Sequence, residues 1–242
     1  MGDLLKICGL DISFQYFVGK SPGFLKHQDS KYASVIDQET KCINHRSMSP
    51  WLWPDMLWKM SPTGIKEKIS RMWLHNYVEK VVQDRIKELN AKLPEMVEDG
   101  LSKQGKFKLL DMLIVKQYLG DYTITDKYIR DELNGFIFAA HDTTASSLMF
   151  TLFLLAMYPE EQNKVIQEVD DVFGKDKDRC VTYQDLTNLK YLEFCLKESL
   201  RLYPPATVLS RKTENDFQLD KTGSRNCIGQ NVALPMEKTI IA

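Results

Sequence analysis

The sequence predicts a mainly α-helical protein with little sheet, folded as a single domain. Three observations predict it. After Pro62 a long stretch, ISRMWLHNYVEKVVQDRIKELNAKL, carries apolar residues at helical spacing. From Thr125 to Tyr158 the chain runs without a breaker and is apolar on nearly every side. Only PATVLSRKTENDFQL (205–219) has strand character, and it has no evident pairing partner.

Taken in order, residues 30–46 carry Tyr32, Ile36 and Ile43 at mixed three- and four-residue spacing, which predicts a helix. SPWLWPDMLWKMSP (49–62) interrupts between Pro50 and Pro62 and holds three of the four tryptophans. Ile65, Ile69, Met72, Val82, Ile86, Leu89 and Leu93 then mark the apolar side of a long helix. PEMVEDGLSKQGK (94–106) is a polar connection, and FKLLDMLIV (107–115) a short helix. Thr125 is an N-cap, with Asp126 in the first turn, for the helix reaching Tyr158. That helix is expected to run through the centre of the fold. Pro159 starts the next helix and Gly174 closes it. Residues 188–203 form another, ended by Pro204 and Pro205.

Composition sets the outer limits. The 43% hydrophobic and 27% charged residues exclude a disordered or fibrous chain. A net charge of −1 leaves no general basic field, so no nucleic-acid partner is expected. His27, His45, His75 and His141 share no ligand spacing, and a zinc site is not expected. Cys8, Cys42, Cys180, Cys195 and Cys227 are an odd, dispersed set without CxxC pairs, as in a reducing compartment. The N-terminal stretch lacks a basic segment followed by a long apolar run, so neither a signal peptide nor a membrane anchor is expected. ASSLMFTLFLLAM (145–157) is too short to span a bilayer. The chain is expected to be soluble or to lie on a membrane surface.

Three constellations carry chemistry. In TGSRNCIGQN (222–231), Cys227 precedes an apolar-periodic segment. A helix starting just after it would give the thiol unpaired N–H groups and the positive end of a dipole, a setting that favours thiolate. Gly223 and Gly229 permit close approach of a flat ligand, and Arg225 offers a cation suited to a carboxylate. A lone cysteine is most often structural; the complete string G-x-R-x-C-x-G is much rarer and favours a ligand. In KESLR, Glu198 and Arg201 stand three apart on one helical face and can pair. Leu196, Leu200 and Leu202 suggest that this helix is rather buried, so that the pair serves positioning. In AAHDTT (139–144), Asp142, Thr143 and Thr144 interrupt an apolar helix. The threonines can bond back to carbonyls one turn earlier. An acid beside an alcohol, one turn after Ala139 and Ala140, also suits a widened helix beside a cavity, where the two would relay protons.

AAHDTT, E-x-x-R and G-x-R-x-C-x-G, in that order, resemble the cytochromes P450, the haem-thiolate monooxygenases. PWLWPD, NGFIFAAHDTTASS and LKESLRLYPP are most similar to the animal microsomal branch numbered four, which includes fatty-acid ω-hydroxylases. The resemblance covers the chain from about residue 45 and more loosely before it. It implies a P450-like helical domain, incomplete over 1–242, with most of the β part missing. Residues 30–219 would be the central helical region, and 222–242 the ligand loop and following helix.

The resemblance further implies that Cys227 is the axial thiolate of haem iron, donating the electron density that favours O–O cleavage. Arg225, and less directly Arg211, would meet the propionates. Gly229 would give the cofactor room. The branch often carries at position 139 a Glu that esterifies haem; here it is Ala139, so haem b is expected to be non-covalent. Asp142 and Thr143 would deliver protons to bound dioxygen. Glu198 and Arg201 would be structural, and Ala206, Thr207 and Val208, with part of the tryptophan-rich segment, would approach the substrate. The implied reaction hydroxylates an apolar fatty acid, lipid or xenobiotic. Electrons would come from an NADPH-dependent reductase at the cytosolic face of the endoplasmic reticulum membrane.

The chain also departs from that pattern. Asp220 stands seven before Cys227, where the family has an aromatic ring that shields the thiolate. Only 26 positions separate Arg201 from Cys227, well short of the family's spacing, so FQLDKTGSR reads as a junction closing a deletion. Set against that pattern, the anchor, most of the sheet domain and the helix whose Trp and Arg face the propionates are expected to be absent from these 242 residues. Pro235 falls inside the helix after Cys227, where it costs about 3 kcal/mol or a kink. Three readings therefore stand: a haem-thiolate monooxygenase; a truncated and catalytically inactive relative; and a non-catalytic helical protein that pairs with a relative or a membrane through WLWPDMLW. For that last segment, packing in the core is the equal alternative.

Overall fold

The computed structural model describes residues 2–26, 31–90, 92–98, 108–174, 179–209 and 227–242. Among these the chain forms eleven α-helices and no strand. Residues 205–209 are irregular and exposed, and the rest of the stretch expected as a strand lies outside the described residues. A single extended segment without a partner leaves its backbone groups unpaired, which is why strand propensity alone does not make one. The helices cluster into two compact units, Ile7–His141 and Met1–Lys6 with Asp142–Ala242.

The unit Ile7–His141 holds most of α1 (Gly2–Phe17), then α2 (Lys31–Ser47), α3 (Asp55–Met60), α4 (Pro62–Leu89), α5 (Leu93–Glu98), α6 (Leu109–Tyr118) and the first half of α7 (Asp126–Met157). Its core brings together Leu10 and Phe14 of α1, Ile36 of α2, Val78 of α4 and Leu110 of α6. Ile129, Leu133 and Ile137 join them from α7, one per turn, as a four-residue repeat on a single helix face requires. Asp11 closes the turn after α1, its carboxylate accepting from the backbone N–H groups of Gly23, Phe24 and Leu25. Arg85 of α4 grips Asp111 of α6 through two bonds of 2.8 and 2.9 Å.

The apolar side expected for α4 is only half realised. Val82 and Leu89 are buried, but Ile65, Ile69 and Met72 are exposed, and Leu74 and Val78 take their place in the core. The first turns of α4 pack instead through Gly64, where any Cβ would run into the Trp58 carbonyl. Glu67 adds a second contact, accepting from Trp58 Nε1 at 2.6 Å. Trp58 is thus a core residue of α3, whereas Trp51 and Trp53 are exposed.

The unit containing Asp142–Ala242 holds the second half of α7, then α8 (Pro159–Phe173), α9 (Tyr183–Asn188), α10 (Lys190–Leu202) and α11 (Gln230–Ile241). Gly174 closes α8 with a φ of 63°, as its place after the last apolar residue suggested. Thr182 and Asp185 form a capping box at α9. Glu168 of α8 accepts from the first N–H groups of α10, those of Tyr191 and Leu192. Leu155, Val165, Leu189, Leu192 and Leu196 form the core between these helices.

Thr125 caps α7 as expected, its hydroxyl accepting from the Tyr128 N–H at 3.1 Å. Although α7 is expected to run through the centre of the fold, it is not buried on every side. Ile129, Leu133, Ile137, Leu148 and Leu155 are buried, while Met149, Phe153 and Met157 are exposed on another face. Among the described residues, no helix is long and apolar enough to cross a membrane.

Candidate functional site

Cys227 is a free, exposed cysteine two residues before Gly229, the N-cap of α11. Its carbonyl accepts from the Gln230 N–H, and a Cβ placed on Gly229 would stand 3.8 Å from Sγ. The thiol therefore lies beside the opening turn of a helix, where the sequence placed it. Pro235 sits within α11 and removes the N–H that would bond the carbonyl one turn earlier.

Buried contacts hold α11 in place. Lys238, almost fully buried, donates to Glu193 of α10 at 2.7 Å and to the Leu186 carbonyl at 2.8 Å. Lys197 binds the other Glu193 oxygen, and the two ammonium groups, Lys197 first, hold the Glu193 carboxyl down at about 2. Ile240 and Ile241 pack on Ala145 and Leu148 of α7. The helix behind Cys227 is thereby tied to both α10 and the second half of α7.

On α7, Asp142 is half-buried, Thr143 exposed and Thr144 buried. The helix runs unbroken through 139–144, so the widening suggested by AAHDTT is not present. Gly135, Ala139 and Thr143 follow one another at four-residue intervals as an exposed stripe of small side chains, and a Cβ at Gly135 would meet nothing within 4 Å. An accessible thiol at a helix start suits an axial ligand. An open stripe of small residues suits the face of a flat macrocycle.

Glu198 and Arg201 form a two-bond pair of 2.6 and 2.7 Å on α10. The pair is exposed, which corrects the expectation of a buried helix: the leucines at 192 and 196 face inward, and the three-residue step from 198 to 201 turns outward. Ala206, Thr207 and Val208 follow α10 as exposed, irregular chain. Arg211 and Arg225 lie outside the described residues.

One group escaped the sequence reading. Glu237 of α11 is buried, and burial pushes its carboxyl up to about 7. The Ser147 hydroxyl of α7 opposes that push without making a well-formed hydrogen bond, and Glu237 Oε2 and Ser147 Oγ are both buried without a hydrogen-bond partner. The only sequence signal was a charged residue amid the apolar residues of the last helix.

Comparison with known proteins identifies the family. The cytochrome P450 profile matches residues 1–221, and the chain belongs to that family. It is 35% identical over 219 residues to cytochrome P450 4V2 of Homo sapiens, covering 89% of this chain and 41% of that protein. To cytochrome P450 4V2 of Mus musculus it is 29% identical over 293 residues, covering 98% of this chain and 55% of the relative. Cytochrome P450 4d10 of Drosophila mettleri is 29% identical over 221 residues, covering 91% of this chain and 43% of that protein. The chain spans less than half the length of the human relative. The mouse alignment is longer than the 242-residue chain, so that relative carries several tens of residues with no counterpart here. The heme domain of cytochrome P450DA superposes with a TM-score of 0.58 at 21% identity, over 83% of this chain and 39% of that one, which shows the fold.

Proposed function

We propose that the chain carries a haem-thiolate monooxygenase site, in which Cys227 would hold the iron of a non-covalently bound haem b through its thiolate. The observation that carries this reading is the free, exposed Cys227 thiol beside the start of α11, in a chain of this family. Bound haem would supply the chemistry of dioxygen activation. Cys227 would hold the iron, Gly229 and Ala139 would leave room for the macrocycle, and Arg225 and Arg211 would pair with the propionates. Asp142 and Thr143, adjacent on α7, would pass a proton from solvent toward the reacting face. Ala206, Thr207 and Val208 would meet an apolar substrate, a fatty acid, lipid or xenobiotic. An NADPH-dependent reductase would deliver electrons at the cytosolic face of the endoplasmic reticulum, with exposed Trp51 and Trp53 supporting contact with a membrane surface.

A second reading is a catalytically silent relative. The exposed Glu198–Arg201 pair and the short interval from Arg201 to Cys227 favour it. Incubation of the haem-loaded chain with NADPH, reductase and a medium-chain fatty acid under labelled dioxygen separates the two. The first reading expects a hydroxylated product carrying one labelled oxygen, reduced by Thr143→Ala. A haem-loaded chain that forms no product supports the second.

A further inference from the structure

A cavity of about 380 Å³ opens among α7, α8 and α10 within the unit that contains Asp142–Ala242. Leu154, Leu155, Phe194 and Leu202 supply an apolar lining. Thr151 and Ser199 also line it, and their hydroxyl oxygens are buried without a hydrogen-bond partner. Such groups retain a desolvation cost that a bound polar group would relieve. Two carboxylates, Glu161 and Glu198, line it beside Tyr158, Tyr191 and Cys195, and among the described residues no Lys or Arg belongs to the lining.

The protein's own ammonium shows what this wall holds. Lys164 Nζ binds Glu161 at 3.0 Å and stands 5.7 Å from the ring centroid of Tyr191, another lining residue. The charges facing the two acids are Lys164 and Arg201, each from outside the lining. We propose that the cavity binds a small primary amine with an apolar body. The body lies against the leucines and Phe194, while the ammonium's three donors are matched by the carboxylates and the two unpartnered hydroxyls. A carboxylate of the same shape finds no Lys or Arg among the described lining residues to pair with.

Cys195 lines the cavity and is half-buried, so its alkylation reports occupancy; exposed Cys180 serves as the internal reference. The full chain, with no haem added, is treated with N-ethylmaleimide, and each cysteine is quantified by peptide mass spectrometry. Phenylbutylamine is expected to slow labelling of Cys195 while leaving Cys180 unchanged, and phenylbutyrate is expected to give no protection. Glu198→Gln, its fold checked by circular dichroism, should raise the half-protecting amine concentration, on the order of tenfold when combined with Glu161→Gln. Equal protection by phenylbutyrate or phenylbutanol, or none by the amine, overturns the proposal. Because haem is absent, either result leaves the assignment of Cys227 untouched.

Discussion

Glu237 lies on α11 and Cys227 just before it, yet their environments are opposite. Cys227 is exposed, whereas Glu237 is buried with its carboxyl pushed up to about 7. A carboxyl raised from 4.5 favours folding fully below its ordinary value and loses that contribution as pH rises through about 7. The shift corresponds to about 3 kcal/mol. The melting temperature of the native chain should therefore fall between pH 4.5 and about 8. Glu237→Gln should flatten that slope; an unchanged slope would show that another group titrates. The place of Cys227 beside a helix start was legible because an apolar-periodic segment follows it. Glu237 was not, since a charged side chain at helical spacing is ordinarily solvated and nothing local marks the helix face that α7 covers.

Among the elements, the link between α10 and α11 is the most consequential. Lys238→Met removes the buried ammonium from Glu193 and the Leu186 carbonyl, and is expected to cost about 1–3 kcal/mol by denaturant unfolding. Because the Glu193 carboxyl is held down at about 2, its share is present above pH 4.5 and disappears as pH falls toward 2. The deficit of the variant should shrink over that interval. At the other end of the chain, Gly64→Ala would drive a Cβ into the Trp58 carbonyl and is expected to cost about 1–3 kcal/mol, read by tryptophan fluorescence and melting temperature. Breakers and caps made α7, α8 and α10 legible, through Thr125, Pro159, Gly174 and Pro204. The exposed half of α4 was misread because its apolar residues repeat at helical spacing while Gly64 and Glu67 make the contacts.

At the scale of the molecule, the helical fold and the family were legible, because three motifs stand in order within a long helical chain. The exposure of the Glu198–Arg201 pair was not, since burial depends on segments far from it in sequence. The central claim is that Cys227 binds haem iron as a thiolate. Its most direct measurement is the absorption spectrum of the haem-incubated chain after reduction and exposure to carbon monoxide. A red-shifted Soret band that disappears in Cys227→Ala is the predicted result; no such band, or one that survives in Cys227→Ala, would contradict the assignment.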